Sequence, residues 1–163
     1  MLNILLAETD PEIREVLHVV LLNLQSSLLN KEGGLRVFIH FRDGRILELA
    51  RKVEIPLDFN EFETLFEKLK FKKGTFEGAL KIIKPEKIVV MSPDGKDSVK
   101  IFSKFDAKEN ILVVVGGFTE GDLPPNVYKH ADYVVSLSKE LLKIWTVVNE
   151  VVVAYENEIL RIS

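Results

Sequence analysis

Residues 111–155 read ILVVVGGFTEGDLPPNVYKHADYVVSLSKELLKIWTVVNEVVVAY, and the reading of this stretch decides the fold. Ile111-Leu112-Val113-Val114-Val115 is an apolar, β-branched run of the kind that forms a strand buried on both faces. Gly116-Gly117 breaks it, and the chain turns through Gly121 and Pro124-Pro125 before a second short strand, Tyr133 to Leu137. From Ser138 the apolar spacing predicts a helix of about twenty residues, greasy around most of its circumference. Strand, glycine loop, strand, polar turn and buried helix make a ligand-cradling arrangement.

Upstream, apolar strands alternate with helices. Leu2 to Ala7 reads as a strand, and Asp10-Pro11 as the N-cap and first position of a helix continuing through Ile13, Val16, Leu17, Val20, Leu21, Leu24 and Leu28. Asn30 to Gly34 ends that helix. Leu35 to Phe41 is a strand with Val37, Ile39 and Phe41 on one face, and Asp43-Gly44 is a two-residue hairpin signal returning into Ile46 to Leu49. Asp58 or Asn60 caps a helix whose apolar face is Phe59, Phe62, Leu65, Phe66 and Leu69. Lys70 to Thr75 reads as a basic loop, Phe76 to Lys84 as a helix stopped by Pro85, Lys87 to Met91 as a buried strand, Ser92 to Gly95 as its turn, and Val99 to Phe105 as helical. This order predicts an α/β class: a mostly parallel sheet with one hairpin and helices on both faces, in one domain spanning residues 1–163.

Bulk properties set bounds. The chain has 163 residues, 47% hydrophobic and 29% charged, enough to bury a core. No apolar run reaches the roughly 18 residues that span a bilayer, and the opening Met1-Leu2-Asn3-Ile4 reads as a strand and not a leader, so no membrane association and a cytoplasmic location are expected. With no cysteine there is no disulfide framework and no thiolate metal site or nucleophile. A single glutamine, Gln25, and abundant Lys and Glu suggest a thermophile. The net charge of −3 lacks the basic surplus usual in proteins that grip nucleic acid.

Ligands in α/β sheets bind outside the carboxyl ends of the strands. Three ends qualify: Met91-Ser92, Gly116 to Gly121, and Leu137 to Leu141. Gly116 to Gly121 has neither dinucleotide-fingerprint spacing nor a Gly-Lys-Ser/Thr ending. His18, His40 and His130 have no metal-ligand spacing and read as structural or surface groups, so no metal is expected. The last helix, from Leu141 through Trp145 to Tyr155, needs cover on all sides. One sheet covers one face, so the other is expected to meet a second subunit in a homodimer, the alternative being a helix sandwiched within one domain.

Val115 to Leu123, Val135-Ser136-Leu137-Ser138 and Leu141 to Val148 resemble the SPOUT-class methyltransferases. Within that class the chain is similar to the archaeal and eukaryotic ribosome-biogenesis enzymes that methylate a ring nitrogen of pseudouridine in small-subunit rRNA. His18 to Leu24, Leu29 to Glu32, Leu35 to His40 and Ile55-Pro56 extend the resemblance, which covers about Glu12 to Tyr155. It implies a trefoil-knotted C-terminal half, a homodimer, and S-adenosylmethionine held by Met91, Gly116, Gly121 and the turn Ser136, Leu137, Ser138, Lys139, Glu140 and Leu141.

The substrate side departs from the family. Relatives carry Arg-x-Arg-Pro-Asp before the helix, with the last Arg and the Asp used for substrate binding and catalysis. Here Ile13 stands in place of that arginine and Glu15 in place of the aspartate, which makes Glu15 the candidate catalytic group. Three RNA-contacting arginines around a Leu-Pro pair are replaced by Glu54, Leu57 and Glu61, and the insert after the first strand is missing. Glu120-Gly121-Asp122 brings acids to the pocket. Arg36, Arg42, Arg45, Arg51, Lys52, Lys70, Lys72 and Lys73 remain as basic groups that can meet RNA. The reading is an S-adenosylmethionine-dependent RNA methyltransferase of ribosome biogenesis; the alternative is a non-catalytic dimeric module that binds S-adenosylmethionine or a protein partner.

Overall fold

A computed structural model describes residues 1–160. Its centre is β1 (Leu2–Thr9), whose side chains are almost all buried. A turn, α1 (Arg14–Gln25) and the short α2 (Leu28–Lys31) lead to β2 (Leu35–Phe41), which pairs parallel with β1. Then follow β3 (Arg45–Leu49), α3 (Phe59–Glu67), β4 (Lys72–Lys73), α4 (Phe76–Ile83) and β5 (Lys87–Met91). A 3-10 segment (Val99–Lys104), β6 (Ile111–Gly116), α5 (Pro125–Tyr128), β7 (Tyr133–Val135) and α6 (Ile144–Tyr155) complete the order, with a π-helical turn at Glu156–Leu160.

The strands form one seven-stranded sheet in the order β4-β3-β2-β1-β6-β5-β7. The five strands from β2 to β7 run parallel, and β3 and β4 join antiparallel at one edge. A parallel sheet buries both faces, so Ile111 to Val115 are all covered. Alternation sends Ile4, Leu6, Val113 and Val115 to a layer with α1, α3 and α6, and Leu5, Ala7, Val114 and Phe38 to a layer with α4 and α5. Helices on both faces of a mostly parallel sheet are as the element order predicts.

Several boundaries differ from the sequence expectation. Asp10 does not cap α1: its N–H donates to Gly117 O at 2.9 Å, its Oδ1 accepts from Glu12 N–H, and the helix waits until Arg14. The sheet holds Asp10, so its carboxylate folds a turn instead. The hairpin loop between Phe41 and Arg45 has three residues, Arg42, Asp43 and Gly44. Asp58, not Asn60, caps α3 by accepting from Glu61 N–H at 2.9 Å. Lys72 and Lys73 leave the expected loop to pair with Ile46 and Arg45 as an edge strand. The last helix starts six residues after Ser138, at Ile144, because Ser138 Oγ accepts from Glu140 N–H at 3.1 Å and commits that segment to a turn.

That helix is also better covered by its own chain than its composition suggests. Ile144, Val148, Val151, Val152 and Tyr155 are buried on the layer shared with α1 and the 3-10 segment. Val153 on α6 and Val19 on α1 stay open, 49% and 37% exposed. Among the described residues no helix is long and apolar enough to cross a membrane.

Candidate functional site

The connections reverse direction around β5: β6 follows it on one side and β7 on the other. A cleft opens at the carboxyl ends of these three strands, where α/β sheets take ligands. Its cavity volume is about 80 Å³, and it is open to solvent. Met91, Ser92 and Pro93 come from the end of β5, and Val115, Gly116, Phe118, Gly121, Asp122 and Leu123 from β6 and its loop. Val135 and the loop residues Leu137, Ser138, Glu140, Leu141 and Leu142 close the third side, with Ile144 and Val147 of α6 beneath.

The loops reach this arrangement for local reasons. β6 must run alongside β1 to its end, and Gly117 N–H donates to Ala7 O at 2.9 Å. A side chain there would collide with β1, since an added Cβ would sit 2.1 Å from Thr9 Oγ1. Gly121 has φ +97, a left-handed conformation that lets the loop fold back over the strand ends. Asp122 then ties the loop down: its Oδ1 accepts from Leu123 N–H and from the Tyr128 hydroxyl. Burial, and next the Asp122 carboxylate, push the Tyr128 phenol up to about 12, so it remains a donor throughout the neutral range.

On the third side, Ser92 N–H donates to Val135 O at 2.9 Å and Ser136 N–H to Asp97 O at 3.0 Å, which joins the turn after β5 to the end of β7. The Ser136 hydroxyl faces Pro93 O at 3.1 Å and Ser138 O at 2.9 Å. Residues 136–143 lie outside helix and strand. The walls are mainly apolar, and the rim carries the carboxylates of Asp122 and Glu140.

Of the expected cofactor positions, Met91, Gly116, Gly121, Leu137, Ser138, Glu140 and Leu141 meet in this cleft. Ser136 stands behind it, holding the loop through its hydroxyl, and Lys139 is exposed outside the lining. Glu15 is exposed on the first turn of α1 and is not among the residues that line the cleft. Phe118 and Leu142 line it without having been singled out from sequence. An aromatic directly after the glycine pair is the signal that was available for Phe118.

The three histidines are accounted for individually. His18 is buried, stacked 4.6 Å from the Phe62 ring, with Nε2 2.6 Å from Pro56 O. His130 lies 6.1 Å from the Phe76 ring. His40 is buried with Nδ1 accepting from Glu8 N–H, and burial holds its pKa below the ordinary 6.5 against the pull of Glu8, Glu77 and Asp43. Among the described residues no group of three or more His, Cys, Asp or Glu side chains is placed to hold a metal ion.

Glu54, Leu57 and Glu61 are all exposed, Leu57 by 86%. Arg36 is paired with Glu48, and Arg51 donates to Asn30 O and Lys31 O. Arg42, Arg45 and Lys73 fall at the end of the sheet where the cleft opens, because β3 and β4 run antiparallel to their neighbours.

A sequence profile of the family described as EMG1/NEP1 methyltransferase matches residues 7–156. Among curated proteins, the ribosomal RNA small subunit methyltransferase Nep1 of Pyrococcus furiosus is 34% identical over 162 residues, covering 90% of this chain and 71% of the relative. The protein of the same name from Methanothrix thermoacetophila is 32% identical, covering 91% and 72%. Among solved structures, Archaeoglobus fulgidus Nep1 bound to S-adenosylhomocysteine superposes with a TM-score of 0.69 at 23% identity, covering 88% of this chain and 70% of that one. A Bacillus anthracis protein described as a putative RNA methyltransferase gives 0.61 at 13% identity, covering 97% and 94%. The structural likeness is one of fold.

Proposed function

This chain belongs to the EMG1/NEP1 methyltransferase family, and from that premise we propose that it methylates small-subunit ribosomal RNA with S-adenosylmethionine as methyl donor. The observation that carries the proposal is the cleft at the carboxyl ends of β5, β6 and β7, whose chemistry suits that donor. Apolar walls from Met91, Val135, Leu137 and Ile144 suit the face of an adenine ring, and the backbone amides of Leu137, Leu141 and Leu142, outside helix and strand, are available to read its edge. When bound, S-adenosylmethionine supplies a methyl group made electrophilic by a sulfonium charge. Asp122 and Glu140 give the rim the negative potential that favours such a cation.

Lys72 and Lys73 are the groups best placed to meet an RNA backbone at this end of the sheet, in place of the replaced family arginines, beside Arg45, which pairs with Asp43 at 2.9 Å, and Arg42, which donates to Glu8 O. The target by resemblance is a ring nitrogen of pseudouridine. The proposal also includes a single domain, a trefoil knot formed by the C-terminal half, and a cytoplasmic homodimer joined through the α1 and α6 faces where Val19 and Val153 are exposed. Glu15 remains a candidate for contact with substrate, from a solvated position on α1.

The test is transfer of tritiated methyl from S-adenosylmethionine to unmodified small-subunit rRNA, with pseudouridine or uridine at the target. Incorporation that needs pseudouridine is the expected result. Tight cofactor binding with no incorporation into any RNA would favour the non-catalytic module instead.

A further inference from the structure

Tyr128 does not line the cleft, yet its hydroxyl donates to Oδ1 of Asp122, which does. Asp122 and Ser92 face both the cleft and a second, open hollow beside it, and Tyr128 and Tyr133 belong to that hollow alone. The phenol is firmly based. Its ring packs against the core layer of α4 and α5, and Val127 beside it is fully buried. Asn126 Nδ2 donates to Glu77 Oε1 at 2.9 Å, which ties α5 to α4. Pro124 and Pro125 stiffen the entry to the helix.

Asp122 has the opposite character. It is exposed, and it follows Gly121, whose left-handed backbone marks the bend of the loop. A carboxylate on an exposed loop samples several rotamers unless something fixes it. Two donors fix this one, Leu123 N–H and the Tyr128 hydroxyl, and both go to Oδ1. Leu123 is itself buried, so the first donor is anchored as well. Among the described residues none donates to the other oxygen, Oδ2. The carboxylate therefore stands at the cleft rim with one oxygen committed and one open to a ligand.

Resting on the methyltransferase reading above, we propose that Tyr128 is a positioning residue that holds the Asp122 carboxylate toward the cation of the methyl donor. Through Asp122 it sets a preference for S-adenosylmethionine over S-adenosylhomocysteine. The two ligands differ by one methyl group and the sulfonium charge that comes with it. They share the adenine, the ribose and the amino-acid end, so apolar walls and loop amides serve both alike. A carboxylate fixed at the rim attracts more strongly the ligand with the additional positive charge, and a group already in place gives up little rotamer freedom on binding. The preference is a difference of two affinities. Its consequence is that the product, having lost the charge, is held less firmly than the donor.

The experiment titrates S-adenosylmethionine and S-adenosylhomocysteine by calorimetry into wild type, Tyr128→Phe, Asp122→Asn, the double variant and Tyr133→Phe, with melting curves as a check on folding. Tyr128→Phe keeps the ring and removes only the hydroxyl. It is expected to weaken S-adenosylmethionine about two- to fivefold while S-adenosylhomocysteine stays within about 1.5-fold of wild type. Asp122→Asn is expected to weaken the donor about three- to tenfold, again with little change for the product. The double variant is expected to lose no more than Asp122→Asn alone, because the hydroxyl acts through the carboxylate. Tyr133→Phe, in the same hollow without a hydrogen bond to Asp122, is expected to match wild type. Equal losses for both ligands in Tyr128→Phe, as a merely structural prop would give, would overturn the assignment alone. So would full donor affinity in that variant, or additive losses in the double variant. Should Tyr128→Phe melt too low to titrate, an unchanged donor preference in Asp122→Asn overturns it. A wild type that binds neither ligand at millimolar concentration would overturn the cofactor reading and this role of Tyr128 with it.

Discussion

Gly117 and Thr9 stand so close that a Cβ on the glycine would lie 2.1 Å from Thr9 Oγ1 and 2.8 Å from Thr9 Cα. The loop over the cleft is therefore registered against the central strand by direct packing of β6 on β1. Gly117→Ala is predicted to force the two apart at a cost of about 1–3 kcal/mol, lowering the melting temperature by about 2–4 °C per kcal/mol. Thr9→Ala in the same chain removes the hydroxyl but leaves the backbone of residue 9 in the way, so it should recover only part of the loss. Scanning calorimetry of both variants reads the effect.

Gly121 tests the loop separately from the core. Its φ of +97 excludes a β-branched residue, although open space surrounds the Cβ position. Gly121→Val is predicted to re-route residues 118–123 and weaken S-adenosylhomocysteine binding at least about tenfold, which is about 1.4 kcal/mol. The melting temperature should change little, because the exposed loop can relax. A binding titration that leaves affinity unchanged would detach this loop from the site.

His40 makes stability depend on pH. Burial depresses its folded pKa below 6.5, so the unfolded chain takes up a proton first as pH falls. The stability present above about 6.5 is lost as pH drops toward the folded value, while Glu8, Glu77 and Asp43 moderate the shift. His40→Asn keeps an acceptor for Glu8 N–H and removes the titration. Its melting temperature is predicted to fall less than that of wild type between about pH 7 and pH 5, as melting curves across that range would show.

Much of this was legible in sequence because the parallel strands announce themselves. Ile111 to Val115 and Lys87 to Met91 are β-branched runs with no alternation, which only a strand covered on both faces explains. The cleft followed from the same strands, since their carboxyl ends are where a parallel sheet opens. The start of α6 was not legible. Leu141 and Leu142 continue the helical apolar spacing, yet Leu142 faces the cleft and the Ser138–Glu140 turn defers the helix to Ile144. Nor was the left-handed backbone of Glu8, with φ +52, whose N–H donates to His40 Nδ1 and whose carbonyl accepts from Arg42, partners on another strand and its loop that leave no local signal.

The α1 and α6 faces supply a prediction about assembly. Val19 and Val153 are large apolar residues left exposed on the two helices that share a layer. Val153→Lys is predicted to shift a dimer to monomer in sedimentation equilibrium while leaving the fold intact by circular dichroism. A wild-type protein that sediments as a monomer at all concentrations would remove the dimer from the account.

The measurement that bears most directly on the whole account is a calorimetric titration of S-adenosylmethionine and S-adenosylhomocysteine into wild type and Gly121→Val. The account predicts saturable binding of both ligands to wild type, one per chain, and a weakened or absent signal in the variant. No heat of binding to wild type at millimolar ligand, or equal binding by both proteins, would contradict the assignment of the cleft between β5, β6 and β7 as the methyl-donor site.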